Sequence, residues 1–261
     1  MPAIYAHYRF GNLILPTLPG DVRGQILRHR RLFDLGLQGP DFFFYYKPAA
    51  DTETGRMGHE VHMRSGRDFF TAVCREFHSD SEEAELAYLY GLLGHYCLDS
   101  VCHPFVDEMT ASGTPSHTAL ESEFERDLMA MDGISSPHTH RRSDYLKSDR
   151  AEYEVIGRFF PPADAKQIGE ALRGMALITD LLTCGNSLHR VLARKILGLI
   201  STDNMGLIVP PAPDADASRY NGAFFELFEQ ALGRYGALLE QLREYLAFRE
   251  PLGAEFDRIF G

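Results

Sequence analysis

Residues 91–124 read "GLLGHYCLDSVCHPFVDEMTASGTPSHTALESEF" and decide the fold. Leu92, Leu93, Leu98, Val101 and Phe105 give the first part the look of a buried helix, and a second helical pattern opens at His117. Within that apolar frame His95 and Asp99 stand four residues apart, on one helical face, and His103 extends the stripe by a turn if the helix persists. His117 and Glu121 form a second such pair on the next helix. Ionisable groups in a helical core are either hydrogen-bonded to each other or turned toward something charged. Neighbouring helices that each offer a His-x-x-x-acid pair are how bundles assemble metal sites. Imidazole with carboxylate suits zinc, with other divalent transition metals as competitors. Cys102 projects close to the same stripe and reads as a small buried hydrophobe, a thiolate ligand being the alternative.

Helical spacing extends through most of the chain. "DVRGQILRHRRLFDLGL", "GRDFFTAVCREF", "SEEAELAYLYGLLGHYCLDSVC", "HTALESEFERDLMAM", "AKQIGEALRGMALITDLLTC", "SLHRVLARKILGLI" and "GAFFELFEQALGRYGALLEQLREYLAF" each repeat apolar residues at three and four. Ser81, before Glu82 and Glu83, marks one helix start, and Pro115 or Ser116 marks the start of the segment holding His117. Loops fall in "LQGPDFFFYYKPAADTETG", "DEMTASGTP", "DGISSPHTHRRSD" and "IVPPAPDADASR". No hairpin signal separates alternating segments. The expectation is an all-α, single-domain bundle over residues 1–261, with long loops across one end.

Composition bounds the function. A chain of 261 residues with 44% apolar and 24% charged residues can bury a sizeable core. Its net charge of −11 argues against a stable nucleic-acid partner held on a broad basic surface. It leaves open an enzyme that attacks a single phosphodiester, because bound metal supplies positive charge locally. The N-terminus lacks the basic-then-apolar pattern of a signal peptide, and no apolar run is long enough for a transmembrane segment. Cys74, Cys97, Cys102 and Cys184 therefore read as reduced thiols in a cytoplasmic protein.

Upstream of the opening stretch lie His7, Asp41 in "QGPDFFFYY" and His62 in "GRMGHEVHMRSG". The ordered set His7, Asp41, His62, "HYCLD", a following His-Pro and "HTALE" resembles the bacterial zinc-dependent phospholipases C, which share an all-helical fold with single-strand nucleases. The resemblance covers roughly residues 1–130. It implies that Asp41, His62, His95 and Asp99 bind one zinc, and that His103, His117 and Glu121 bind a second. His7, the N-terminal group and a shared Asp99 would bind a third. It also implies phosphodiester hydrolysis by metal-activated water, on a phospholipid head group or a small phosphodiester, with Asp41 as candidate general base. The pattern departs from the family in three places. There is no N-terminal Trp, and the step from Asp99 to His103 is short. "GHEVHM" also offers both His59 and His62, of which His62 is favoured by the "SGRDFF" that follows. Pro104 can break the helix beside His103.

The remaining histidines read as bland: His138 and His140 in a polar loop, His29, His78 and His189 on helix surfaces. "FFFYY" at 42–46 is either a core plug or the wall of a lipid or base pocket beside Asp41. The function that follows is a zinc-dependent, phospholipase C-like hydrolase. The alternatives are a nuclease-like phosphodiesterase and a metal-binding helical protein without hydrolytic activity.

Overall fold

The computed structural model describes residues 4–111, 113, 115–183, 185–200 and 206–261. Among them the architecture is all-helical, with a lone bridge between Ser65 and Ile259 as the sole β-type pairing. The helices are α1 (Ile4–Ile14), α2 (Gly20–Arg28), α3 (Arg30–Gly36), α4 (Glu53–His62), α5 (Gly66–Val73), α6 (Glu83–Thr110), α7 (His117–Met131), α8 (Arg150–Gly157), α9 (Ala165–Leu182), α10 (Ser187–Ile200) and α11 (Asn221–Phe248).

α6 is the axis of the bundle. Every residue from Glu85 to His103 is buried, so this stretch of the helix has no solvent face, and α1, α2, α3, α7, α8 and α11 pack around α6. α3 approaches closest. A Cβ at Gly91 would stand 2.2 Å from the Phe33 carbonyl oxygen, and one at Gly36 would stand 2.3 Å from that of Tyr88. Only glycine lets these two backbones meet.

The structure differs from the sequence-based expectations at several helix ends. Pro104 does not break α6, which continues to Thr110. Pro104 has no N–H for the Ser100 carbonyl, and Arg258 Nη1 donates to that carbonyl instead at 3.4 Å. Ser81 is not the N-cap of α6: Glu82 holds that position, and the Ser81 hydroxyl accepts from the His78 N–H. Residues 21–37 form two helices, because His29 leaves helical geometry at φ −121°, ψ 39°. α1, α4 and α8, of 8 to 11 residues, have too little periodicity to stand out, although Thr52 and an Asp149–Glu152 capping box start two of them. His117 begins α7 as expected, with the Ser116 hydroxyl accepting from the Ala119 N–H.

After α11 the chain folds back across α5. The Gly66 N–H donates to the Arg258 carbonyl and the Phe260 N–H to that of Arg64, which inserts Phe256 and Phe260 between Phe69, Phe70 and Tyr96. Cys74, Cys97 and Cys102 are free and buried; Cys184 lies outside the described residues. No helix among the described residues is long and apolar enough to cross a membrane.

Replacing Gly91 with alanine forces α3 away from α6. The expected cost is about 1–3 kcal/mol, read as a fall of several degrees in the melting temperature. An unchanged melting temperature would mean that the two helices do not need that approach.

Candidate metal centre

Helix geometry converges the polar stripe of α6 on residues from α1, α4 and the turn at Asp41. Asp99 and His95 are fully buried, and His7 from α1 reaches the same point with no exposure. Asp99 Oδ1 lies 3.2 Å from His7 Nε2, while Asp99 Oδ2 lies 3.2 Å from His95 Nε2, 3.6 Å from His103 Nε2 and 3.8 Å from His62 Nε2. Asp41 Oδ1 stands 3.1 Å from His62 Nε2 and 3.8 Å from His95 Nε2. The His7 and His95 rings stack at 4.4 Å.

The far side of each ring determines what these contacts can be. His95 Nδ1 lies 3.1 Å from the Leu37 carbonyl oxygen, and His62 Nδ1 lies 2.6 Å from that of Gly58. A carbonyl only accepts, so both Nδ1 atoms carry hydrogen and both Nε2 atoms turn toward carboxylates. At such distances an Nε2 needs either a second proton or a cation between it and the oxygen, because otherwise two lone pairs meet. Burial lowers the His95 pKa, which disfavours the second proton. Among the described residues, His7 Nε2, His62 Nε2 and His95 Nε2 find no hydrogen-bond partner despite their burial. A backbone carbonyl on the remote nitrogen is the usual support of a metal-ligating imidazole. Burial alone would raise the Asp41 and Asp99 carboxyls; the positive charge around them, that of His95 included, brings both below the ordinary carboxylate range.

The two groupings expected from the sequence are brought together in space. The ligand atoms of Asp41, His62, His95 and Asp99 lie within 4.8 Å of one another, as do those of His103, His117 and Glu121. Glu121 Oε1 is 2.6 Å from His117 Nε2, and the buried Glu121 carboxylate has no hydrogen-bond partner among the described residues. Both donor sets are nitrogen and oxygen only, which fits zinc. His7 lies on the opposite edge of Asp99 from His62, which suits a shared carboxylate; the N-terminal group of the expected third site lies outside the described residues. Cys102 is buried, and burial pushes its thiol pKa up, which leaves it a small apolar side chain. His59 is exposed against Phe44. His140 Nε2 meets the Tyr145 hydroxyl, away from the metal-ligand groups. His29, His78 and His189 lie outside both groups.

Sequence reasoning missed the supports of the site. Gly39, at φ +50°, brings the backbone against His95, where a Cβ would lie 2.3 Å from the ring. Phe260 packs on His62 and His95, and a Cβ at Gly261 would lie within 3.2 Å of His62 and His103. "FFFYY" divides between its two readings. Phe42 and Phe43 are core, Phe44 touches His62, and Tyr45 lines a cavity with Glu121, Ser122, Arg142, Thr179 and Leu182. Arg142 is buried there, with Nη1 donating to Glu125 Oε2 at 2.6 Å, and its Nε has no partner among the described residues. A buried charge pair beside Glu121 has no signature in the local sequence.

The zinc dependent phospholipase C family model matches residues 6–170, a span that holds every residue of both groups and His7. The chain belongs to that family. No curated protein and no solved structure matches it.

Two groups predict at least two zinc ions per chain, counted by elemental analysis of protein purified without added metal. Glu121→Gln should remove one and leave the other; loss of less than half an equivalent would contradict the role of Glu121. His62 adds a pH dependence. Burial lowers its pKa but Asp41 raises it further, so the net shift is upward. Without metal, the protonated His62–Asp41 pair contributes stability below the ordinary histidine pKa and loses it as pH rises through the raised value. Zinc must displace that proton, so its affinity should strengthen at least about tenfold between about pH 6 and pH 8. Equal affinity at both values would exclude His62 as a ligand.

Proposed function

We propose that this member of the zinc-dependent phospholipase C family hydrolyses a phospholipid at its phosphodiester, with Asp41, His62, His95 and Asp99 holding one zinc and His103, His117 and Glu121 a second. The observation that carries the reading is the convergence of the buried His7, His62 and His95 Nε2 atoms on the buried Asp41 and Asp99 carboxylates. Zinc bound there supplies an acidified water and neutralises charge on the phosphate oxygens.

The chain's own groups divide the remaining work. Asp99 spans His7 on one oxygen and His95 on the other, and its buried, ionised carboxylate fixes the cluster. Asp41 accepts the proton of the attacking water. Its depressed pKa makes it a weak base, sufficient for a water already made acidic and unsuited to a free one. His117 is the most exposed member at 31%, against 0% for His95 and Asp99, so substrate approaches from the α7 side. The cavity beside Glu121 is only about 10 Å³, room for a single water, and Arg142 Nε and the Tyr45 ring line it. Burial raises the Tyr45 phenol pKa and keeps it neutral.

The test is a panel of a chromogenic phosphodiester, a short-chain phospholipid and single-stranded DNA, each with wild type and Asp41→Asn. Wild type should hydrolyse the lipid best, and Asp41→Asn should lower kcat/KM at least about a hundredfold. Zinc analysis of the variant separates loss of a base from loss of a metal. No turnover above the variant's background on any substrate would leave a metal-binding protein and end the hydrolase reading. DNA as the best substrate would favour the nuclease-like reading.

A further inference from the structure

Among the described side chains of α10, the large apolar ones face outward. Leu188, Val191 and Leu192 are 74%, 53% and 56% exposed, and Lys195 completes the same face one turn further on. Arg190 is turned the other way, with Nη1 buried, and Ala193 packs inward. This inverts the usual arrangement of a surface helix. On α9, Leu177 and Leu181 are 61% and 56% exposed. Their sequence neighbours Ile178 and Leu182 pack with Leu207, Ile208 and Ala193 in a small core of their own. α9 and α10 therefore meet through one small core, and each carries exposed large apolar side chains outside it. Grouped large apolar side chains of this kind mark an interaction surface, whereas single ones do not.

Two observations select the partner. The first is charge. α10 carries His189, Arg190, Arg194 and Lys195 in its sequence and no acidic residue in its 14 positions, within a chain whose net charge is −11. Apolar residues on one face with basic residues beside them are the composition of a helix that lies in the interface of an anionic bilayer. The second is position. Ala193 of α10 packs in the same small core as Leu182 and Leu207, two residues that also line the small cavity beside Tyr45, Glu121 and Arg142.

We propose that α10 and the outer turns of α9 form a docking face for an anionic phospholipid surface, with Leu188, Val191 and Leu192 among the acyl chains and Lys195 at the head groups. The proposal rests on the reading that the substrate is a phospholipid.

Flotation with vesicles tests it. The protein as purified should float with phosphatidylcholine vesicles containing about one-third phosphatidylglycerol, and more weakly with phosphatidylcholine alone. The combined variant Leu188→Gln, Val191→Gln, Leu192→Gln should reduce the bound fraction at least about tenfold, and Lys195→Glu should weaken binding to the anionic vesicles alone. The chain contains no Trp, so Leu192→Trp gives a single fluorescent reporter whose emission should shift to the blue when anionic vesicles are added. That second readout holds if the combined variant fails to fold. Absence of both flotation and the blue shift in folded protein would overturn the proposal. So would a dimer that the combined variant converts to monomer without any vesicle binding, because a second copy would then cover the face. Turnover of a soluble diester is measured separately. Vesicle binding through α10 without any turnover would sink the catalytic reading and leave the docking face; turnover without vesicle binding would do the reverse.

Discussion

Everything in this fold answers to the carboxylate of Asp99. It is wholly buried on a stretch of α6 without a solvent face, and His7, His62, His95 and His103 surround it from α1, α4 and α6 itself. Burying one ionised group without compensation costs several kcal/mol, and here a second carboxylate, Asp41, lies against the same imidazoles. A cation relieves all of these contacts at once, where hydrogen bonding would require several protons in a buried space. The rest of the architecture serves that arrangement. α4 ends at His62, α7 begins at His117, Gly39 lets the Asp41 turn press on His95, and the chain's last described residues close over His62 and His103.

The part of this site legible in the sequence is the part written in local spacing. His95 with Asp99 and His117 with Glu121 lie at intervals that helical geometry places on one face, and the helix boundaries at 117–131 and 187–200 follow from periodicity and capping. His7, Asp41 and His62 carry no local signal strong enough to join that set; their order along the chain, read through the family resemblance, joined them. What stayed hidden depends on distant contacts. Arg258 meets the carbonyl released by Pro104 across 158 residues, which keeps α6 continuous and holds His103 on the stripe. Arg142 reaches Glu125 of α7 from a loop that reads as polar, and the pair forms beside Glu121. Phe260 lies on His62 and His95 although its own neighbourhood shows nothing of metal chemistry.

A division of labour follows along the chain. The span common to the family, residues 6–170, holds every ligand candidate, while Thr179, Leu182 and Leu207 of the cavity, the exposed face of α10 and the closing segment after α11 lie beyond it. The ligand candidates are thus gathered in the part that the family model covers, and the exposed apolar face of α10 lies in a part that it does not.

X-ray absorption at the zinc edge of the purified protein tests the central claim most directly. A cluster built from Asp41, His62, His95, Asp99, His103, His117 and Glu121 predicts a nitrogen and oxygen shell at about 2.0–2.2 Å, with imidazole scattering and no sulfur. A zinc–sulfur distance near about 2.3 Å, or zinc without imidazole scattering, would contradict it.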